Sequence, residues 1–345
     1  MDAPPDCTVL GCGSPSGALR RRKREFAKER AGPMKRCWIC LGVSAGLLAM
    51  ALGSGCVMIA GFPCAFHTTW SEEVKERITL DASAAEAVTV ETHNGKIDFT
   101  GTETGTQTVV EATKRAGGSS VADARKALEA LEVFAEPDPA DPGTIRVGWR
   151  WKTARHPASW KARVSFEITA PAGVRLSAET HNGGIKVRNV AGPVELASHN
   201  GGIKAVSIHG PLEAETHNGK VVVSGAGEKL RIVTHNGSIR AEFTTPDLAV
   251  ETHNGSIALD LRNTGPVDAR VTTHNGNVVL TVGEKTSARL QAETSLGSIA
   301  CQLPLKEPEV SAGKHRLRGV LGDGQGTMVI NTHNGGIRVK SAEKG

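Results

Sequence analysis

Tyrosine does not occur in this chain of 345 residues, and aromatic residues of all kinds make up only 3% of it. Compact cores bury large rings for much of their apolar area, so a core here has to be thin and built from Val, Ile, Leu and Ala. Charge imbalance is also missing once position is considered. The chain carries 41 Lys/Arg against 36 Asp/Glu, a net charge of +5. Nine of the basic and four of the acidic residues lie in 1–55, which leaves 32 of each sign for the remainder. A formally neutral body lacks the basic footprint of a nucleic-acid binder. Cysteine is scarce beyond the N-terminus: six of the seven precede residue 65 and only Cys301 follows. No disulfide framework can therefore staple the body. The pairs Cys7/Cys12 and Cys37/Cys40 do not read as a zinc site, because the second lies in an apolar run and no structured segment surrounds the first.

That apolar run is the longest in the chain. From Met34 the sequence reads "MKRCWICLGVSAGLLAMALGSGCVMIAGF". Two basic residues, a long apolar stretch and small residues before Cys56 have the layout of a secretory signal. The segment resembles a bacterial lipoprotein signal, with Gly53 where such signals favour Leu. The resemblance implies that 34–56 is a signal peptide cleaved just before Cys56, which is lipidated and becomes the mature N-terminus. The alternative is an uncleaved single-pass anchor, since 37–62 exceeds the roughly 20 apolar residues that span a bilayer. Both readings attach the N-terminus to a membrane and put the body outside the cytoplasmic membrane, in the bacterial cell envelope. Residues 1–33 are Pro/Gly-rich and then basic, without periodicity. They read as disordered or as an extension upstream of a start at Met34. Residues 57–84 read as a linker and a first strand.

Against these absences stands one abundant word. His-Asn-Gly occurs eight times and takes eight of the twelve histidines. It falls at His181, His199, His217, His235 and His253, eighteen residues apart. His274 and a degenerate "AETSLGSIA" copy at Ser295 follow at spacings of twenty-one, and further copies lie at His93 and His333. Fixed periods near twenty residues mark stacked architectures. Within a unit, Leu212, Ala214 and Thr216 alternate with Glu213, Glu215 and His217, the period-2 pattern of a strand with one buried face. Asn-Gly supplies a turn, and alternation resumes at Val221 and Val223. Each unit then makes two short strands and two turns, the second turn often ending in Gly-Pro. The fold class expected is all-β: a parallel β-solenoid with rungs of about 18–21 residues. In-register stacking requires the same chemistry at the same position of every unit, which an antiparallel meander of hairpins does not.

Residues 100–172 break the period. "SSVADARKALEALEVFAE" reads as a helix with a serine start, and "TIRVGWRWKTA" and "WKARVSFEITAPAG" as strands. They make a small α+β N-terminal cap over an otherwise open strand edge. The Gly-, Pro- and charge-rich segment 302–326 reads as a loop insertion between late coils.

Taken together, the "VTVETHNGKI" opening, "VVEATKRAGGSSVADARKALEALEV", the "FEITAPAGVRLSAETHNGGI" junction and the closing "GVLGDGQGTMVINTHNGGIRV" resemble the adhesin-type domain family of bacterial envelope proteins. The resemblance covers 85–340. It implies a β-solenoid of adhesion-like, structural or sensing role, with an envelope protein or a glycan as partner and no cofactor. Histidine stands where that family commonly carries serine.

Three readings of the histidines follow. The first is cover for the turn. The second is weak capture of a transition metal by His181, His199, His217, His235 and His253, since imidazole suits zinc, copper and nickel. Zinc needs three or four ligands converging at about 2.0–2.1 Å, and only Glu179, Glu215 and Glu251 stand nearby on the same face. The third is a carbohydrate-active enzyme, a polysaccharide lyase or hydrolase, on the same fold. Such sites need a unique cluster such as paired carboxylates, whereas the charges here recur with the repeat. Trp149, Trp151 and Trp160 read as cap core, with an exposed aromatic patch as the alternative.

Overall fold

The structure, a computed structural model, describes residues 70–83, 85–262 and 265–342. Cys56, the paired cysteines and the segments 1–33 and 34–56 lie outside the described residues. Among the described residues no helix is long and apolar enough to cross a membrane.

One coil explains the rest. Leu212–Asn218 buries Leu212, Ala214 and Thr216 and exposes Glu213, Glu215, His217 and Asn218. After Gly219 the chain turns into Val221–Ala226, which buries Val221 and Val223. Neighbouring coils pair in parallel and in register, with Leu212 opposite Val194 and Leu230, and Thr216 opposite Ser198 and Thr234. The outcome is a solenoid of two long sheets, one of thirteen strands and one of twelve. The first strand of every coil joins one sheet and the second strand joins the other. Rows of identical side chains fill the space between them: Ile97, Ile185, Ile203, Val221, Ile239, Ile257 and Val278 are all essentially inaccessible. Burying each such side chain contributes about 1.5–3 kcal/mol. No single coil could fold on its own four or so buried aliphatics, and the stack is what turns them into a core.

The Gly of each Asn-Gly pair is required by proximity. A Cβ on Gly219 would sit 2.1 Å from the Gly201 carbonyl oxygen, and one on Gly201 would sit 1.8 Å from that of Gly183. The corner carries glycine because the coil below occupies the space.

At both ends the order in space departs from the order in the chain. The coil made by Ala87–Asn94 and Ile97–Thr102 stacks on Arg175–Asn182 and Ile185–Val190, eighty-eight residues later in register. Its other flank is covered by Asp141–Trp151 in one sheet and Lys161–Pro171 in the other. At the far end, the last coil (Thr327–Asn334 and Ile337–Ser341) lies between Asp268–Asn275/Val278–Val282 and the earlier Ala288–Leu296/Ile299–Cys301. The degenerate copy is outermost, and the closing motif is an insertion beneath it.

The cap differs in detail from its sequence pattern. The helix is Val121–Glu129, and "LEVFAEPD" is a strand, Leu131–Asp138. Leu131 and Val133 alternate into the core, and that burial ends the helix although its leucine spacing would allow it to continue. The strands Trp70–Asp81 and Gln107–Gly118 pair antiparallel and close the edge of one sheet. Segment 302–326 is not an open loop. It forms a hairpin, Lys306–Val310 and Arg316–Leu321, antiparallel to Ala288–Leu296. Leu317, Gly319 and Leu321 are its buried residues, a period-2 pattern that the flanking arginines obscure.

Candidate functional site

The Thr-His-Asn-Gly corner is repeated with one job for each residue. Threonine points inward, and its hydroxyl donates to the glycine carbonyl of the coil below: Thr180 to Gly95 at 3.1 Å, Thr216 to Gly201 at 2.9 Å, Thr332 to Gly276 at 3.0 Å. This satisfies a buried hydroxyl that would otherwise carry a desolvation penalty. Asparagine forms an amide ladder, each Nδ2 donating to the Oδ1 below it, from Asn182→Asn94 at 2.7 Å through Asn218→Asn200 at 2.9 Å to Asn334→Asn275 at 2.6 Å. The ladder stops at the outermost coil, where Leu296 stands opposite Asn334 and is 67% exposed. Asn-Gly in the sequence signals a turn, and nothing in that dipeptide announces the amide ladder.

Histidine points outward. All eight rings form one column: His93, His181, His199, His217, His235, His253, His274 and His333, with centroids 4.7–4.9 Å apart. Six of the seven pairs are within 5° of parallel. This spacing is the strand spacing of a sheet, about 4.7–4.9 Å, so the backbone sets it and the rings follow. Equivalent nitrogens on parallel rings are as far apart as the rings. A single zinc can bridge at most about 4.2 Å, twice its bond to nitrogen. The rings of His181, His199, His217, His235 and His253 therefore cannot chelate one ion between neighbours as they stand. Glu179, Glu215 and Glu251 do not close that gap, because Ala197 and Val233 occupy the rungs between them. Among the described residues no three His, Cys, Asp or Glu side chains are close enough to share a metal ion.

The tryptophans belong to the cap. Trp149 donates from Nε1 to Thr92 Oγ1 at 3.2 Å, and Trp151 meets Trp149 edge-on at 5.9 Å and Trp160 at 5.6 Å. Trp160 Nε1 donates to Asp123 at 2.7 Å. Asp123 also accepts from the Ser119 backbone and hydroxyl, both at 2.8 Å, and from Ser159 at 3.2 Å. The indole N–H and then the Ser119 donors hold its carboxyl well below the usual range, at about 2. These bonds tie the start of the helix, capped by Ser120, to the tryptophan loop. Cys301 is half-buried, and desolvation pushes its thiol up, which is the opposite of an activated nucleophile.

Among solved structures, the chain is similar to a candidate adhesin from Bacteroides fragilis, at 10% identity, covering 78% of this chain and 97% of that one, with a TM-score of 0.38. Others are a candidate cell-adhesion protein from Clostridium sporogenes (12% identity, 79% and 100% coverage, TM-score 0.23) and a candidate lipid-binding protein from Parabacteroides distasonis (8%, 78% and 97%, 0.34). A comparison with curated proteins gave no match. The Toastrack DUF4097 family pattern matches residues 73–340, from the edge strand of the cap to the inserted last coil. Over that span the chain belongs to the Toastrack DUF4097 family.

Proposed function

We propose that this protein is an envelope-anchored β-solenoid with an adhesion-like or scaffolding role, presenting a repeating polar corner to an envelope protein or glycan and catalysing no reaction. The carrying observation is the straight column of outward imidazoles, repeated once per coil at 4.7–4.9 Å. Catalysis needs different groups converging on one point, whereas this corner repeats the same groups along a line. A linear array suits weak contacts summed over a repeating partner. Co-sedimentation with purified cell-wall glycan tests it. Replacing His199, His217 and His235 by serine is expected to weaken retention while leaving the melting curve at neutral pH nearly unchanged. Release of soluble sugar from the glycan would overturn the reading in favour of an enzyme.

Anchoring belongs to the same proposal. Lipidation at Cys56 would hold the N-terminus at the membrane with the body outside the cytoplasm. Cys56→Ser is then expected to leave an uncleaved precursor or to free the protein from membranes. Unchanged mass and unchanged retention would favour the uncleaved anchor.

A further inference from the structure

On the second face of the solenoid, two adjacent coils carry glycine where their neighbours carry a side chain. The residue after each Asn-Gly pair is Lys96, Gly184, Gly202, Lys220, Ser238 and Ser256 in successive layers of the stack. Two glycines therefore sit between two lysines. Two residues further on, the row reads Asp98, Lys186, Lys204, Val222 in register. The side chains missing at Gly184 and Gly202 leave a bay of about 460 Å³, framed by Lys96, Lys186, Lys204 and Lys220.

Neither glycine has a left-handed φ, and a Cβ would meet a neighbouring carbonyl oxygen at 3.2 Å on Gly184 and 3.0 Å on Gly202, a tight contact that a small shift relieves. Lysine and serine occupy the same register in adjoining coils, so a side chain is compatible with the fold at this position. What the glycines provide is room. The volume falls in the range of small-ligand sites, about 300–1,000 Å³.

Charge identifies the occupant. Ion pairs such as Arg188–Asp98, Arg231–Glu213 and Arg316–Glu293 decorate the described surface, and none is formed by these four lysines. The acidic groups at the bay are Asp98 and Glu167, opposite each other at one end. Asp98 is already held by Arg188 at 2.8 Å. Planar carboxylates are matched by the arginine fork, while lysine acts as a point charge suited to phosphate, and all four cations here are lysine. Three strand steps of about 4.8 Å separate Lys96 from Lys220 by about 14 Å at the backbone. One phosphate cannot engage both unless the long side chains fold inward, so a ligand with more than one phosphate fits best.

We propose that the bay over Gly184 and Gly202 binds a small ligand carrying two or more phosphate groups, either free or presented as a lipid headgroup. The site lies on the opposite sheet from the histidine column and does not depend on the adhesion-like reading.

Calorimetric titration of the full-length protein in neutral detergent tests it, with inositol hexakisphosphate as the soluble probe and dioctanoyl phosphatidylinositol bisphosphate as the headgroup probe. Exchanging Lys96, Lys186, Lys204 and Lys220 for glutamine is expected to raise Kd by about tenfold or more, a factor of ten being 1.4 kcal/mol. Exchanging Lys126, Lys161, Lys285 and Lys314 for glutamine removes the same charge elsewhere and is expected to leave Kd within about twofold, well under that step. Gly202→Val fills the floor at constant charge and should weaken binding as well, with a melting curve to confirm folding. The probe bound more tightly identifies the source of the phosphate, and either preference supports the site. Equal losses in the two lysine sets, or no binding of either probe by the parent, would overturn it.

Discussion

Between residues 175 and 282 each coil lies on the one before it in the chain, whereas at the two ends a coil is held between partners from distant sequence. In the middle, the N–H of Gly219 donates to the carbonyl of Asn236, seventeen residues on, and Thr216 reaches back fifteen residues to Gly201. At the ends the same bonds span 85 residues from Thr180 to Gly95, and 56 from Thr332 to Gly276. The chemistry is identical and the loop closed is several times longer. A stack of repeats behaves as a chain of nearest-neighbour contacts and can fray from its tips. Tying each tip to remote sequence makes the terminal coils interior layers.

The largest effect should come from breaking that tie. Removing residues 327–342 takes out the layer on which Ala288–Leu296 rests and should lower the melting temperature by about 10 °C or more, since 1 kcal/mol corresponds to about 2–4 °C at this size. Removing residues 212–229 deletes one whole coil and keeps register, and should cost less. Thermal melts followed by circular dichroism compare the two, and equal losses would mean that insertion adds nothing beyond one coil. Next is the corner glycine. Gly219→Ala forces a Cβ into the Gly201 carbonyl and should cost about 3 kcal/mol in urea unfolding, among the larger single-site effects. Gly173→Ala, at the junction of cap and stack with nothing within 4 Å, should stay within about 0.5 kcal/mol. A smaller effect is expected along the amide ladder. Asn218→Ala removes both the bond it donates to Asn200 and the one it accepts from Asn236. Exposed bonds of this kind contribute at most about 1 kcal/mol each, and the same urea titration reads the loss.

The smallest effect concerns the cap alone. The folded carboxyl of Asp123 titrates at about 2, below the unfolded value of about 3.9. Its contribution is therefore complete above pH 4 and fades as the pH falls from 4 towards 2. Asp123→Asn should flatten that acid limb, detected by tryptophan fluorescence, because Trp160 is the partner, and should leave the stack unaffected.

Much of this molecule was legible from one word repeated in one period. Thr216, His217, Asn218 and Gly219 repeat because each touches its own counterpart in the next coil, so periodicity and structure are the same fact. What remained hidden has a physical reason in each case. The words at His274, Ser295 and His333 are interchangeable in shape, so spacing cannot say which stacks on which. Leu317 and Leu321 alternate correctly for a strand but sit among Arg316, Arg318 and glycines. The lysine bay draws Lys96 and Lys220 from one row and Lys186 and Lys204 from another, and only register brings the rows side by side. The histidines were visible from the start, but the parallel rings that rule out chelation between neighbours follow from backbone geometry.

The inserted last coil bears on how the chain is made. During synthesis, residues 288–301 emerge before 327–341 exist, and they meet the exposed layer of 268–282 first. Thr294 carries the hydroxyl, and Gly276 the carbonyl, that would let them dock there directly, just as Thr332 does in the finished protein. The nascent chain thus has a ready-made wrong partner that satisfies the local rule. In the finished protein the closing residues stand in that place instead, and the outer flank of Ala288–Leu296 is covered by the hairpin Lys306–Val310 and Arg316–Leu321.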